Sequence, residues 1–198
     1  MTLPTDAVKP APSLATGDQL TAETWEDFLT RLKYHSEGEG VHDHCTADAL
    51  FIVQNKRLVS GIDRDYASDL MIFLDDYEWF SPLEFWADLD EDSRTDLNKK
   101  SRDETSKYFT DLSTFEQWLV LEDLEDHTVT GYAWEWEYVN SHFTREAAEA
   151  FIKRKSHDYR ELRVYVESQY FAWEFKAIKN AIMNGQLVFK GDQGMEAK

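Results

Sequence analysis

Thr128-Val-Thr-Gly-Tyr-Ala-Trp-Glu-Trp-Glu-Tyr-Val139 sets Trp134, Trp136 and Tyr138 against Glu135 and Glu137 in strict alternation. Successive side chains of a strand point to opposite faces, so this period of two predicts a half-buried β-strand. The residues that follow change period. Thr144 predicts a helix cap, and Ala147, Ala148, Phe151 and Ile152 recur at helical spacing on one side. Leu162, Val164 and Val166 alternate as a further strand. Tyr170 to Asn184 predicts a helix with Trp173, Ala177, Ile178, Ala181 and Ile182 inward, closed by Gly185. Leu187 to Phe189 predicts a short edge strand. Strand, helix, strand and helix in this order predict an α+β protein: a small β-sheet with packed helices.

Upstream, Thr24 onward carries Trp25, Phe28, Leu29 and Leu32 on one helical face, and the glycines of Ser36-Glu-Gly-Glu-Gly40 end it. Ala49 to Gln54 is a short apolar run. Asn55-Lys56 reads as a tight turn and Arg57 to Ile62 as a returning strand, which together predict an N-terminal hairpin. From Asp65 the spacing reads as helical, with Tyr66, Leu70, Phe73 and Leu74 inward. Ser81-Pro82-Leu83-Glu84 has the Ser, Pro and Glu of a helix start, and Ser113-Thr-Phe-Glu116 is a second capping box. Asp90 to Ser106 is almost devoid of apolar side chains, which predicts a loop or a solvated helix. Three of the four prolines fall before Asp18. The expected organisation is a flexible arm over 1–20, one domain over 21–190 with an acidic helical insert at 63–126, and a flexible tail over 191–198.

Charge is the second signal. Between Asp63 and Asp126 there are 20 carboxylates and six Lys or Arg, a net −14 of the chain's −18. Carboxylates three and four apart on a helix share a face. Three edges are therefore predicted: Asp65, Asp69 and Asp76; Asp88, Asp92 and Asp96; Glu122, Asp123 and Asp126. Asp75 and Glu78 add to them, and Tyr77, Trp79 and Phe80 are candidate anchors, because Trp and Tyr dominate interface hot spots. The plain alternative is a solvated face that only keeps the protein soluble. A net −18 repels DNA, RNA and anionic membranes, so the expected partner is a host protein or ribonucleoprotein with a basic groove. The Lys153-Arg154-Lys155 run with His157, Arg160 and Arg163 complements a helix dipole. It also suits a second copy's acidic belt, so a homodimer is a further expectation.

Other chemistries find little support. No run of 18 apolar residues predicts a membrane span. A single cysteine, Cys45, and no basic-then-apolar leader predict the cytoplasm. There is no dinucleotide-binding fingerprint, P-loop or nucleophile elbow. His35, His42, Asp43, His44 and Cys45 are the one dense cluster of potential ligands. His42, His44 and Cys45 with a distant carboxylate have the ligand types of a zinc site, but no CxxC or HExxH accompanies them, and ordinary loop histidines are the better reading. His44 beside Cys45 makes a poor catalytic pair, since neighbours in an extended chain face opposite ways. No catalytic residue and no cofactor are expected. The aromatics Trp134, Trp136 and Tyr138, and Phe171, Trp173 and Phe175, are expected in the core.

Two segments carry a resemblance. One is His44-Cys-Thr-Ala-Asp-Ala-Leu-Phe-Ile-Val-Gln-Asn-Lys-Arg57 with Gly61-Ile-Asp63 and Tyr66. The other is Trp136-Glu-Tyr-Val-Asn-Ser-His-Phe-Thr144 leading to Glu146-Ala-Ala-Glu-Ala-Phe-Ile152, then His157-Asp-Tyr159, Leu162-Arg-Val-Tyr-Val-Glu-Ser168 and Trp173-Glu-Phe-Lys-Ala-Ile178. Between roughly His42 and Gly185, outside the acidic insert, the chain resembles a family of short accessory proteins of phages and prophages of Gram-negative bacteria. The resemblance implies a mobile-element context, where inhibitors of host restriction and CRISPR systems are common and acidic nucleic-acid mimics are one class of them. It carries no site residues with it.

Overall fold

A computed structural model describes residues 11–191. The fold is mixed α+β, with the order α1 (Ala22–Ser36), β1 (Ala49–Ile62), β2 (Asp69–Leu74), β3 (Tyr77–Trp79), α2 (Pro82–Asp88), α3 (Glu91–Thr105), α4 (Thr114–Glu122), β4 (Thr128–His142), α5 (Arg145–Lys155), β5 (Leu162–Ser168) and α6 (Trp173–Met183). The strands form an antiparallel sheet in the order β3-β2-β4-β1-β5. Contacts divide the chain into two compact units. The first contains the described residues up to Lys56 and from Trp136 onward; the second is Arg57–Glu135 and encloses the whole acidic block.

The first unit is the expected strand–helix–strand–helix ribbon with α1 and the start of β1. Ala49, Phe51 and Val53 of β1 and Val164 and Val166 of β5 turn one face to α5, where Ala148 is fully buried. β1 pairs with β5 from Ala49↔Ser168 to Asn55↔Leu162. The expected turn at Asn55-Lys56 is absent. β1 is one strand of 14 residues, and the Lys56 amide donates to the Glu161 carbonyl at 2.9 Å. The physical reason is that neither residue is a glycine at positive φ, and β5 offers the backbone partners that a turn would forfeit.

Of the expected N-terminal arm, residues 1–10 lie outside the described residues. From Ser13 on the chain is organised: Ser13 is buried, caps a 3₁₀ turn at Leu14–Thr16 and donates to Asp27 on α1 at 2.5 Å. Leu187 to Phe189 makes no strand. All of the expected tail except residue 191 lies outside the described residues.

The second unit corrects the helical reading of 65–80. Residues 69–79 form a hairpin, β2 and β3, with Leu74↔Tyr77 closing the two-residue turn Asp75-Asp76. Asp75 sits at φ 53°, a left-handed conformation that Asp tolerates better than most residues. Leu70-Met-Ile-Phe-Leu74 is a run of strand formers, and its i, i+4 apolar spacing is incidental to it. The hairpin's Ile72 and Trp79 face a core with Phe85 of α2, Leu97 of α3, Phe109 and Leu112, and Trp118, Val120 and Leu121 of α4. Both helix starts behave as read: Ser81 accepts from the Glu84 amide, and Ser113 and Glu116 form a reciprocal capping box. The polar stretch 90–106 is the solvated helix α3, held by its one large apolar side chain, Leu97, which is 4% exposed. Gly131 of β4 is obligatory, because an added Cβ would lie 2.2 Å from the Ala67 methyl and 2.7 Å from the Ile62 carbonyl oxygen.

Candidate partner-binding surface

The acidic side chains come from different elements than helical spacing predicts. Asp65 belongs to a 3₁₀ turn, Asp69 opens β2, and Asp75 and Asp76 form the hairpin turn, so Asp65, Asp69 and Asp76 do not share a helical edge. Asp88 ends α2, while Asp92 and Asp96 lie on α3, beyond a break at Leu89-Asp90. Glu122 ends α4, Asp123 is its C-cap and Asp126 lies in the turn before β4. Residues 92, 96, 99 and 103 follow one another at helical spacing, so that α3 face carries three carboxylates and the cation Lys99.

Strand pairing then fixes sides within the second unit. Ile72 pairs with Trp79 and faces the core; Phe73 pairs with Glu78, and Asp69 with Tyr132, on the opposite face. Asp69 and Glu78 thus lie on the side of the hairpin away from α2, α3 and α4. The carboxylates surround this unit and do not form one flat array.

They are nevertheless available. Asp65, Asp69, Asp75, Asp76, Glu78, Asp88, Asp92, Asp96, Glu122, Asp123 and Asp126 are all exposed. Two are committed: Glu122 pairs with Arg64, and Asp88 accepts the Trp79 indole N–H at 3.2 Å. Trp79 itself is a core residue, 9% exposed and edge-on to Phe85 at 5.1 Å, so it is not a surface anchor. Tyr77 stacks on it and remains 65% exposed, and is the better candidate for that role. Phe80 packs on Tyr132 and Trp134.

The predicted residues converge at one place. Asp96 and Asp126 rim a cavity of about 470 Å³ whose walls include Trp79, Phe85, Leu97 and Leu124. His127 lines it as well. Its ring packs on Phe85 at 4.7 Å, and neither nitrogen has a hydrogen-bond partner, although both are shut off from solvent. Burial holds the His127 pKa below the usual imidazole value, opposed only in part by Asp126 and its nearby carbonyl, so the ring is neutral at pH 7. Lys100 also reaches the rim, but its ammonium is taken up by Glu104 and the Asp123 carbonyl, both at 3.0 Å. Nothing in the sequence marked this cavity, because its residues are drawn from four elements.

The zinc-type residues do not assemble. His42 lies in a 3₁₀ turn (Glu39–Asp43) and is exposed; Cys45 is exposed at φ 57°. His44 packs against Phe51 and His35, with its pKa lowered by burial and by the neighbouring His35 and Arg145. Among the described residues no three His, Cys, Asp or Glu come together as metal ligands. His35, the first residue of that cluster, is buried and meets Glu146 at 3.1 Å, which in turn faces Arg31.

The aromatic stripes are a second correction. Phe171 and Trp173 are 76% and 71% exposed, not core; Tyr138 is 61% exposed. Trp134, Trp136 and Phe175 are half-buried, the last stacked on Phe143 at 5.5 Å. The basic run at the end of α5 includes Lys155, paired with Asp158 at 2.6 Å, and Arg163 covers the Trp136 ring at 3.9 Å. No helix among the described residues is long and apolar enough to cross a membrane. Comparison with protein-family models, curated proteins and solved structures found no match.

Proposed function

We propose that the Arg57–Glu135 unit is an anionic docking surface, and that the protein is a phage-encoded inhibitor of a host nucleic-acid-targeting defence system such as restriction or CRISPR. It acts by occupying the basic groove of its target, without turnover. One observation carries this reading: nine exposed carboxylates, Asp65, Asp69, Asp75, Asp76, Glu78, Asp92, Asp96, Asp123 and Asp126, have no cationic partner within the unit. Like charges so dense oppose folding, and a partner's Lys and Arg side chains would relieve that repulsion. A duplex offers those side chains one phosphate charge per about 1.7 Å of axis, and carboxylates around a compact unit compete for the same contacts.

The test is protection of incoming phage DNA in a bacterium that carries the targeted defence system. Expression of the wild-type chain restores plaque formation; the Asp92→Lys, Asp96→Lys, Asp126→Lys variant, whose melting temperature is no lower than the wild type's, does not. Equal protection by both would reject the acidic surface as the agent.

A second reading, a non-catalytic assembly module of the phage, is favoured by a different observation. Tyr170, Phe171, Trp173 and Ile178 are all more than half exposed at and along α6, a concentration of apolar surface that marks contact sites. Under this reading Trp173→Ala and Ile178→Ser abolish partner capture, while the acidic substitutions leave it intact.

A further inference from the structure

The cavity of the second unit has a chemistry more specific than the surface around it. Its interior is apolar, lined by Trp79, Phe85, Leu97 and Leu124. Its rim carries two carboxylates, Asp96 and Asp126, with no cation of their own, while the one cation at the mouth is spent on Glu104 and the Asp123 carbonyl. Its wall includes the His127 ring, whose two nitrogens are shut off from solvent. At about 470 Å³ it lies within the range of pockets that enclose small ligands, and it exceeds what one side chain fills.

We infer that this cavity seats an arginine side chain of the protein partner, together with an apolar side chain next to it in the partner's sequence. Arginine fits better than lysine for three reasons. Its aliphatic stem and flat, weakly hydrated guanidinium suit a wall that is largely apolar. Its five N–H donors suffice for Asp96 and Asp126 at once. Guanidinium–carboxylate pairs are bidentate and directional, which an ammonium cannot reproduce. The adjacent apolar residue occupies the volume the arginine leaves.

This inference rests on the reading of the unit as a docking surface for a basic protein, and its test is separable from that reading. The probe is the capped dipeptide acetyl-Arg-Leu-amide, titrated into the full-length protein while the Trp79 indole and His127 ring resonances are followed by NMR. Saturable shifts of both at millimolar concentration are expected. The citrulline analogue, neutral and of the same shape, binds about tenfold more weakly or worse, as does the arginine peptide to the Asp96→Asn, Asp126→Asn variant. Both substituted residues are exposed, so the variant keeps its fold, which its melting temperature verifies. Equal binding of citrulline and arginine peptides overturns the assignment of a cation, and no saturable shift of Trp79 or His127 overturns the site. If partner capture survives in the Asp96→Asn, Asp126→Asn variant but is lost on neutralising Asp75, Asp76 and Asp92, the docking reading stands and only the arginine cavity falls.

Discussion

Lys179 shows how one residue can rotate the interpretation of a helix. It is 2% exposed, its ammonium donates to the Ala47 carbonyl and to Asp48 at 2.7 Å, and Asp48 is shared with Lys176 at 3.3 Å. Burial pushes the Asp48 carboxyl up, but the hydrogen bonds and charges of the two lysines outweigh it and hold it below its ordinary range. Removing the anion strips two lysines of their shared counter-ion, one of them buried, whereas removing the Lys179 cation leaves Asp48 its second lysine. Asp48→Asn therefore costs roughly 3–5 kcal/mol, and Lys179→Met, which keeps the volume and drops the charge, costs much less. Urea midpoints at constant slope read both. His127 gives a pH signature of the same sign in a higher window. Its folded pKa is depressed by burial, so the unfolded chain binds a proton first. Its share of stability is complete above the unfolded value near 6.5 and declines as pH falls from there toward the lowered folded value. Between pH 7.5 and 5.5 the wild type loses more stability than His127→Gln does, and equal losses would mean that the ring is solvated.

The elements explain which parts of the fold were legible. α2 and α4 were, because a Ser cap, Pro82 and Glu116 act within four residues of chain and need no distant partner. β4, α5 and β5 were legible because a period of two or 3.6 survives whichever neighbour covers the face. The errors fall where a distant partner decides. Asn55-Lys56 became strand because β5, more than a hundred residues on, supplies its hydrogen bonds. The Lys56 amide should accordingly exchange slowly with deuterium, at the rate of its β1 neighbours; exchange at a loop rate would restore the turn. Residues 69–79 became a hairpin because β4 pairs Asp69 to Phe73, a register no local pattern encodes. On α6 the buried residues are Lys179 and Met183, with Phe175 half-buried beside them, whereas apolar spacing alone put Trp173 and Ile178 inward, where they are not. The same limit applied to the candidate site. Exposure of the carboxylates followed from their charge, but their grouping into helical edges failed, since α2 and α3 break apart at Leu89-Asp90 and the 65–76 stretch is not helical.

At the scale of the molecule the two units differ in charge. Arg57–Glu135 holds 21 carboxylates against seven Lys or Arg, a net −14, so the rest of the chain carries only −4. Repulsion among the nine unpaired carboxylates is screened by salt, as is their attraction for a basic partner. Stability of the free protein should therefore rise with ionic strength while affinity for the partner falls, a pair of opposite slopes that simple solubilisation would not produce. The central claim is that these carboxylates take the place of nucleic acid in a basic groove. It is tested most directly by capture from nuclease-treated host lysate with wild-type protein and with the Asp92→Lys, Asp96→Lys, Asp126→Lys variant, each eluted by added duplex DNA. The account predicts that a nucleic-acid-handling protein is held by the wild type, absent from the variant and released by the DNA. Retention by both proteins, or binding that DNA does not compete away, would contradict it.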